Sequence, residues 1–501
     1  MKRREFLTKT MGATAAMTLP FSVSSKEPEH KWDREYDLII VGSGFTGVAA
    51  AYSAYKAGLK NILVLEKMKV WGGNSVISGG LAGMPNSKLQ KKLGIKDSPE
   101  LLVKDMLKAG RNFNNPELAY IMASQAYTVY DMLIDCGAQF KDKLIRSGGH
   151  SAARSHIPKN ASGGGLVVPM HKYLLAHGVK FQNRTKVSNL IQESDLSISG
   201  VAVQEDYDFD TKKFKRESTY KSRHGIVVAT GGWTQDKKFI STTMPMYSDL
   251  ERTAHPGATS EMIKSLLAVG SLPLNFDMYQ LGPWGCPDEI GGGPASFFAG
   301  YAFNESIAVD PMTGQRFVDE HSSRRTRSEA EMLVMEKGTK EKPNYPITFS
   351  SEDTAFRAEG FDAAFRDGSV QKTNSVAELA ELYGMDVNKL TQSIADWNEV
   401  LKGNMPDPFG KTIDKRTELK APYYSMRLSP KLHYCMGGIA INKNAEVISA
   451  DTCEPIKGLF AGGEVAAGTH GMDRLGGCSS VDCMVFGQIA GRTAAKYKAN
   501  A

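Results

Sequence analysis

YDLIIVGSGFTGVAAAYSAYKAGLKNILVLE, residues 36–66, is the stretch of sequence that decides the fold. Within it, two short apolar runs at 38–41 and 62–65 predict buried strands, and the alanine-rich segment between them predicts a helix. Three glycines at G-x-G-x-x-G spacing follow the first strand: Gly42, Gly44 and Gly47. In such a series the first glycine permits a tight turn, the second lets the backbone approach a pyrophosphate, and the third lets helix and strand pack closely.

The ends of this unit carry the groups that a bound dinucleotide needs. The helix N-terminus offers free N–H groups and a partial positive charge to phosphates. Glu66 closes the second strand, where a carboxylate accepts hydrogen bonds from a ribose. The complete series of strand, turn, helix, strand and acid therefore predicts a dinucleotide-binding site. The alternative is a strand–helix–strand unit whose glycines serve packing only.

Length and composition place the chain among ordinary globular proteins of two or three domains. It has 501 residues, of which 41 % are hydrophobic and 23 % charged. The formal net charge of +6 is too small and too dispersed to predict nucleic-acid binding. None of the six cysteines forms C-x-x-C, so no zinc, iron–sulfur or covalent-haem motif is present and no metal is predicted. Cys478 and Cys483 are expected to be small buried thiols, with a disulfide as the alternative.

Residues 1–31 are predicted to be an export signal with a polar lead-in. The segment 2–7, KRREFL, is a twin-arginine pattern, and a modest apolar run at 11–21 follows it. That run is too short to span a bilayer, so no membrane anchor is expected. Twin-arginine export carries folded proteins, which predicts a periplasmic location for a protein that must take up its cofactor first.

Further glycine-rich motifs extend this interpretation along the chain. They are WGGNS at 71–75, ATGG at 229–232, GEV at 463–465 and HGMDRLGG at 470–477. With these motifs the chain resembles the fumarate reductase and succinate dehydrogenase flavoprotein family over about residues 36–497. It is most similar to the soluble periplasmic flavocytochrome c branch, which includes methacrylate and urocanate reductases, but it has no haem domain.

The resemblance implies an α/β fold, with a Rossmann-like FAD-binding domain and an inserted α+β capping domain. The expected boundaries are 32–293 for the first part of the FAD-binding domain, 294–435 for the capping (clamp) domain and 436–501 for the C-terminal part of the FAD-binding domain. A strand is expected over 181–191, an amphipathic helix pair at 375–383 and 387–401 with Gly384 between them, and a final helix over 479–497.

The resemblance also implies noncovalent FAD, since Asn74 and Ser75 stand where membrane-bound relatives carry a flavin-linked histidine. In the family a valine such as Val187 meets the adenine. The implied cofactor-binding residues are Gly42, Gly44, Phe45, Thr46, Gly47, Glu66, Lys67, Gly73, Asn74, Ser75, Gly79, Gly80, Val187, Ala229, Thr230, Gly231, Gly463, Glu464, Arg474, Gly477 and Ser479.

Two arginines are the candidates for chemistry. A guanidinium can bind a carboxylate through two parallel hydrogen bonds, and Arg474 stands in a glycine-rich loop that a ligand can approach. The resemblance makes Arg474 the substrate-binding arginine. It also makes Arg324, the last residue of RFVDEHSSR, the catalytic proton donor. The alternatives are that Arg474 bonds nearby carbonyls and that Arg324 belongs to a surface arginine run paired with Glu329.

The chain departs from the fumarate reductases at the groups that would hold a second carboxylate. Tyr434, which follows His433, stands at the position of a histidine in the family. Trp284 aligns close to the position of a second family histidine. Such aromatic groups favour an apolar substituent, so a 2-enoate with one carboxylate is expected: methacrylate, acrylate, or an aryl acrylate such as cinnamate or urocanate. The family's proton-relay Glu and Arg fall on Gly300 and Phe303. Three acids remain as unassigned possibilities: Asp288, Glu289 and Glu305.

The implied reaction is reduction of a carbon–carbon double bond beside a carboxylate, with a hydride from flavin N5 to the β-carbon and a proton from Arg324. A separate multihaem cytochrome c is the expected electron donor, since no haem motif is present. Two alternatives stay open. One is a flavin-dependent dehydrogenase or oxidase of another substrate, such as a ketosteroid or an amino acid. The other is a flavin electron-transfer module without turnover.

Overall fold

The computed structural model describes residues 31–413 and 415–498. The predicted twin-arginine signal at 1–25 lies outside the described residues. The strands, in chain order, are β1 Arg34–Tyr36, β2 Leu38–Val41, β3 Ile62–Leu65, β4 Ala82–Gly83, β5 Phe140–Ile145, β6 Ser155–Pro158, β7 Lys180–Gln182, β8 Thr185–Gln192, β9 Ile198–Glu205, β10 Arg216–Ser222, β11 Ile226–Val228, β12 Pro273–Leu274, β13 Tyr279–Gly282, β14 Ile307–Asp310, β15 Gln315–Arg316, β16 Ile347–Ser351, β17 Gln371–Thr373, β18 Tyr423–Arg427, β19 Lys431–Cys435, β20 Gly438–Ala440, β21 Glu446–Ile448, β22 Pro455–Ala461 and β23 Ala466–Ala467.

The α-helices, in chain order, are α1 Phe45–Lys56, α2 Gly73–Ile77, α3 Lys88–Lys92, α4 Pro99–Ala109, α5 Pro116–Ser124, α6 Ala126–Asp135, α7 Gly164–Ala176, α8 Lys237–Thr243, α9 Glu261–Ala268, α10 Ala295–Glu305, α11 Arg324–Met335, α12 Glu352–Ala355, α13 Phe361–Arg366, α14 Val376–Tyr383, α15 Val387–Lys402 and α16 Cys478–Lys496. Short 3-10 turns lie at Pro245–Tyr247 and Gly463–Val465. Within the described residues, no helix is both long and apolar enough to cross a bilayer.

A six-stranded sheet organises the largest core, in the order β21-β22-β11-β2-β3-β7. Strands β22, β11, β2, β3 and β7 are parallel, and β21 pairs antiparallel at one edge. Every residue of β2, β3 and β11 is buried, as expected for parallel strands that are covered on both faces. The predictions of β2, α1 and β3 from the sequence are therefore confirmed.

Helices α1 and α16 pack closely because small residues face each other. A methyl group at Gly487 would lie 2.5 Å from the carbonyl oxygen of Thr46, and one at Gly491 would clash with the backbone of Ala50. The predicted final helix is therefore confirmed, and it lies against the helix of the glycine motif. Because Gly487 meets Thr46 and Gly491 meets Ala50, the two helices run parallel to each other.

The predicted strand at 181–191 is wrong in one respect, because the structure divides it. Strand β7 pairs with β3 in the central sheet, whereas β8 pairs with β9 in a separate sheet of order β1-β10-β9-β8. The chain turns between them at Arg184, whose φ is 49°. Residues 181–191 therefore contribute to two different sheets, with a turn between the two parts.

A five-stranded sheet of order β15-β14-β16-β18-β17 has its own core, with α10 and α12–α15 around it. Helices α14 and α15 confirm the predicted helix pair, and Gly384 joins them with a φ of 67°. All these elements fall within 294–435, and the exact domain boundaries stay a prediction. Strands β13 and β19 pair antiparallel and link the two regions.

Candidate active site

The turn after β2 places three chain segments at one edge of the central sheet. Gly42 has a φ of 107°, and a Cβ there would lie 2.7 Å from the carbonyl carbon of Ala229. Its N–H donates to the carbonyl oxygen of Leu65 over 2.8 Å, and the N–H of Ala229 donates to that of Val41 over 2.8 Å. Glycine is therefore required at 42 for both conformation and space.

The N-terminus of α1 opens at this edge with unpaired donors. The N–H of Phe45 donates to the hydroxyl of Ser75 over 2.8 Å. Within the part of the chain that the structure describes, the N–H groups of Thr46 and Gly47 have no protein acceptor, and the N-cap residue, Gly44, has no side chain to supply one. Free N–H groups at a helix N-terminus suit a phosphate.

Glu66 and Lys67 follow β3 and are held differently. The Glu66 carboxylate accepts hydrogen bonds from the Met68 N–H at 2.9 Å and the Ser43 hydroxyl at 2.6 Å, which fixes it at the sheet edge. The Lys67 ammonium donates to the Thr259 hydroxyl over 2.5 Å and lies 3.3 Å from a carboxylate oxygen of Glu261. Burial lowers the pKa of Lys67. Its charge is thus already engaged by protein groups.

Glu464, which follows β22, is a buried carboxyl that joins several elements. It accepts a hydrogen bond from the Cys435 N–H over 2.9 Å, and it is hydrogen-bonded to Gly232 and to the Asn74 side chain. Burial raises the pKa of Glu464 to about 7. The carboxyl therefore fixes the ATGG turn, β19 and α2 relative to one another.

The remaining residues predicted to bind the cofactor surround the same edge or support it. A Cβ at Gly73 or Gly79 would meet no atom within 4 Å, so both glycines border open space. The other positions are Gly44 at the start of α1, Gly80 after α2, Thr230 and Gly231 after β11, Val187 buried on β8, Gly463 before Glu464, Gly477 at the N-cap of α16, and Ser479 in its first turn. This cradle of glycines and free N–H groups fits a noncovalently held dinucleotide.

Two arginines define a cleft beside this cradle. Arg324 is the first residue of α11; its guanidinium donates to the Gln280 side-chain oxygen over 2.9 Å and lies 4.5 Å from the Trp284 ring centre. The Arg474 guanidinium lies 4.4 Å from the Tyr434 ring centre. Its Nη1 donates to the adjacent Leu475 carbonyl over 3.3 Å, and its buried Nε has no partner among the described residues.

A β-bulge sets the aromatic side of this cleft. Gln280 on β13 lies opposite Tyr434 on β19, but Leu281 lies opposite Leu432, so His433 is an extra residue in the ladder. Bulges re-aim side chains, and here the His433 ring meets the Trp284 ring edge-to-face with centres 5.2 Å apart. The His433 Nδ1 lies 2.7 Å from the Thr253 hydroxyl.

The two guanidinium charges of the cleft have carboxyl groups in their surroundings, Asp473 for Arg324 and Glu464 for Arg474, but no direct ion pair within the described part of the chain. Among the described residues, no carboxylate lies within ion-pair distance of the Arg324 or Arg474 guanidinium. Burial and the neighbouring Arg474 charge lower the pKa of Arg324 well below its ordinary value. Burial and both arginines lower the pKa of His433, so its ring is neutral, while burial raises the pKa of Tyr434. Two like charges without a directly paired carboxylate form a site for an anion.

Sequence reasoning missed the two residues that connect these arginines. The Gln280 amide nitrogen donates to the Asp473 carboxylate and, over 2.7 Å, to the carbonyl oxygen of Arg474. The other Asp473 oxygen accepts the Arg325 N–H over 3.0 Å, at the start of α11. Gln280 and Asp473 are 193 residues apart, so no local pattern could have paired them.

The acids left unassigned by the sequence are engaged elsewhere. Glu305 is bonded to Arg357, Asp288 to Arg427, and Glu289 accepts the Ala295 N–H over 2.9 Å. Both Cys478 and Cys483 are free thiols, as expected from the sequence. Within the described residues no cluster of His, Cys, Asp or Glu could hold a metal ion.

The chain is similar to known flavoproteins over most of its length. Residues 37–480 match the family model described as "FAD binding domain". The acrylate reductase flavoprotein subunit of Shewanella woodyi is 36 % identical over 496 residues, covering 98 % of this chain and 97 % of that one. The urocanate reductase of Eggerthella lenta is 31 % identical, covering 92 % of this chain and 75 % of that one.

The fold is also similar to that of a solved structure. The open conformation of a flavocytochrome c3 fumarate reductase superposes with a TM-score of 0.72 at 28 % identity, covering 95 % of this chain and 84 % of that one. The cradle and cleft thus belong to an FAD-dependent oxidoreductase, with FAD as its cofactor. More narrowly, the chain belongs to the fumarate reductase/succinate dehydrogenase flavoprotein family. The predicted fold class, an FAD-binding domain with a cap, is confirmed.

Proposed function

We propose that this protein reduces the carbon–carbon double bond of α,β-unsaturated carboxylates, with monocarboxylates of the acrylate type as preferred acceptors. The observation that carries the proposal is the pair of unbalanced guanidinium groups, Arg324 and Arg474, each beside an aromatic ring. The names of the Shewanella woodyi and Eggerthella lenta relatives support the same substrate class.

In this proposal Arg474 binds the substrate carboxylate. Its Nε is unpartnered within the described residues, and only Nη1 bonds to protein, so donors remain for two parallel hydrogen bonds. Gln280 binds both the backbone carbonyl oxygen of Arg474 and the Arg324 guanidinium, which ties the loop that carries Arg474 to the start of α11. Such a grip orients the double bond and polarises it.

Bound FAD supplies the two electrons as a hydride to the β-carbon. Arg324 then protonates the α-carbon. An ordinary arginine is a very weak acid, with a pKa above about 12. Burial and the charge of Arg474 lower the pKa of Arg324, which strengthens it as a proton donor.

The aromatic residues favour a substrate with one carboxylate. Trp284, His433 and Tyr434 form the wall beside the arginines, and the His433 ring is neutral. A second carboxylate would face apolar ring surface there instead of a charged donor. A hydrogen atom, a methyl group or an aromatic ring would pack well against the same wall.

An acceptor panel tests the function. FAD-loaded protein is assayed with reduced viologen and acrylate, methacrylate, cinnamate, urocanate or fumarate. We expect kcat/KM for the best monocarboxylate to exceed that for fumarate by about tenfold or more, the value of ~1.4 kcal/mol of differential binding. Rapid turnover of fumarate alone would overturn the preference, and no turnover of any acceptor would overturn the reductase.

We further propose that the chain is exported to the periplasm and receives electrons from a separate multihaem cytochrome c, without direct membrane anchoring. The twin-arginine pattern at 2–7 and the absence of any haem-attachment motif support this. A double Arg3→Lys, Arg4→Lys variant should stay in the cytoplasm on fractionation. Equal export of that variant and the unchanged chain would contradict the proposal.

A further inference from the structure

The Arg324 guanidinium is held in the cleft by one protein group. Among the described residues its single hydrogen bond is the 2.9 Å contact from Nη1 to the Gln280 side-chain oxygen. A Cβ at Gly476 would lie 3.6 Å from Nη2, so the guanidinium also lies against the loop that carries Arg474. Because it has one protein acceptor, the direction of the guanidinium depends on how firmly Gln280 is fixed.

The Gln280 amide can face in only one direction. Its nitrogen lies against two acceptors, the Asp473 carboxylate and the Arg474 carbonyl oxygen, and its oxygen faces the Arg324 donor. Turning the amide over would set its oxygen against two other oxygens and its N–H groups against the guanidinium. An ionised carboxylate can only accept, so Asp473, together with that carbonyl, decides that Gln280 offers an oxygen to Arg324.

The same carboxylate fixes the backbone that carries Arg324. The second Asp473 oxygen accepts the Arg325 N–H over 3.0 Å. This N–H belongs to the first turn of α11, where N–H groups have no partner within the helix. Asp473 is 2 % exposed and Gln280 1 % exposed, so both contacts of the carboxylate are shielded from bulk water.

We propose that Asp473 is a positioning residue whose carboxylate aims the Arg324 guanidinium at the substrate by fixing both the Gln280 amide and the first turn of α11. This role rests on the proposed function, since Arg324 is the proton donor there. Asp473 directly precedes Arg474 in the chain, so one loop both carries the carboxylate-binding arginine and sets the direction of the acid. A substrate bound by Arg474 is thereby presented to a proton donor that the neighbouring residue orients.

Charge and orientation predict opposite effects when the Asp473 carboxylate is removed. Burial and the Arg474 charge lower the pKa of Arg324, and the Asp473 charge opposes that shift. An electrostatic role alone would therefore make Arg324 a stronger acid in Asp473→Asn and raise kcat. A positioning role lowers kcat, because an amide offers only one acceptor. Whichever way the new amide turns, its donor faces either the Gln280 nitrogen or the Arg325 N–H.

Turnover and anion binding, measured on the same FAD-loaded samples, test this role. We expect Asp473→Asn to lower kcat for acrylate about 10- to 100-fold, as for a misplaced catalytic group. The Kd for propionate, measured by calorimetry, should change by less than about threefold, since both guanidinium charges remain. Gln280→Met removes the amide but leaves the Arg325 contact, and it should show the same split between kcat and Kd. It replaces Asp473→Asn as the test if that protein does not fold.

A double-mutant cycle separates the hydrogen-bonded pair from general damage to the fold. Gln280→Glu is made alone and in the Asp473→Asn background, where it restores one carboxylate and one amide in exchanged places. We expect the double variant to turn over about tenfold or more faster than the product of the two single losses predicts. Asp386→Asn, at the exposed N-cap of α15, is the matched control and should leave kcat and Kd unchanged.

Three results would overturn the role of Asp473. They are an unchanged or higher kcat in Asp473→Asn, a propionate Kd weakened as much as kcat, and losses in the cycle that simply multiply. Failure of the proposed function is distinct from all three, because it appears as no turnover of any acceptor by the unchanged protein.

Discussion

Two sets of arginines, Arg154 in one and Arg324 with Arg474 in the other, show opposite arrangements in this molecule. Arg154 donates two hydrogen bonds to the Asp97 carboxylate, each of 2.8 Å, and one of 2.6 Å to Asp105. Its guanidinium is completely enclosed and fully paired. Arg324 and Arg474, by contrast, have no ion-pair partner among the described residues, and the charge of Arg474 lowers the pKa of Arg324.

This difference indicates two roles: the paired charge of Arg154 stabilises the fold, whereas the unpaired charges of Arg324 and Arg474 bind a ligand. Burying a paired charge is tolerated because each lost water contact is replaced by a carboxylate oxygen. Burying unpaired like charges costs stability, and that cost persists only where a bound anion offsets it. Fully paired arginines should therefore matter for folding, and unpaired ones for catalysis.

His150 connects the two sets. Arg154 can only donate, so its 3.0 Å contact makes the His150 Nδ1 an acceptor, and Nε2 carries the proton that binds the Gly476 carbonyl at 2.8 Å. Gly476 lies two residues after Arg474 in the same loop. The paired cluster thus supports the loop that carries the unpaired arginine.

Removing the catalytic charge should give the largest effect. Arg324→Met is expected to lower acceptor turnover by about 10³-fold or more, while thermal stability stays the same or rises because a like-charge contact with Arg474 is relieved. Steady-state assays and thermal unfolding of the same samples check this. Arg366→Met, at an exposed helix end, is the matched control. A large fall in Tm with retained activity would reverse the assignment.

Removing the structural charge should give the opposite result. Arg154→Met is expected to lower the free energy of unfolding by about 3–5 kcal/mol, since Asp97 and Asp105 are left buried and unpaired. Arg184→Met breaks an exposed pair and should cost less than about 1 kcal/mol. Denaturant titrations measure both. Equal decreases in the free energy of unfolding of the two variants would show that the buried ion pairs of Arg154 stabilise the fold no more than an exposed pair does.

His150, which connects the two sets of arginines, should make the free energy of unfolding depend on pH. Burial and the Arg154 charge lower the pKa of His150 to about 4, so the unfolded chain binds a proton near pH 6.5 that the folded chain does not. Stability from His150 is thus complete above about pH 6.5 and is lost on acidification, by about 2 kcal/mol near pH 5. Unfolding free energies of His150→Gln and the unchanged protein should differ less at low pH than at neutral pH. Parallel pH profiles would contradict this.

The aromatic wall should give the smallest effect. Tyr434→His replaces the phenol with an imidazole, which can bind a second carboxylate through an N–H and with a positive charge when protonated, so the ratio of kcat/KM for fumarate over acrylate should rise by about tenfold. The panel of acceptors described above measures the ratio. Tyr434→Phe keeps the apolar wall and should leave the ratio nearly unchanged. A similar shift in both variants would show that the Tyr434 hydroxyl, rather than the missing imidazole, sets the preference for acrylate over fumarate.

The sequence predicts what depends on neighbours along the chain. The strand–turn–helix–strand unit at 36–66 and the helix pair around Gly384 have local periodicity and local turn residues, so they could be predicted. The run at 181–191 could not, because two separate sheets determine where it turns. The roles of Gln280 and Asp473 also could not, since each depends on a partner far away in the chain.

The central claim is that Arg324 and Arg474 together form an anion site that the fold leaves unpaired. Titration of FAD-loaded protein with propionate, a saturated carboxylate that cannot be reduced, tests it directly by calorimetry and by the rise in Tm. We expect binding and stabilisation in the unchanged protein, and loss of both in Arg474→Met and Arg324→Met, with sodium chloride as the ionic-strength control. Equal propionate binding by all three proteins would contradict the claim.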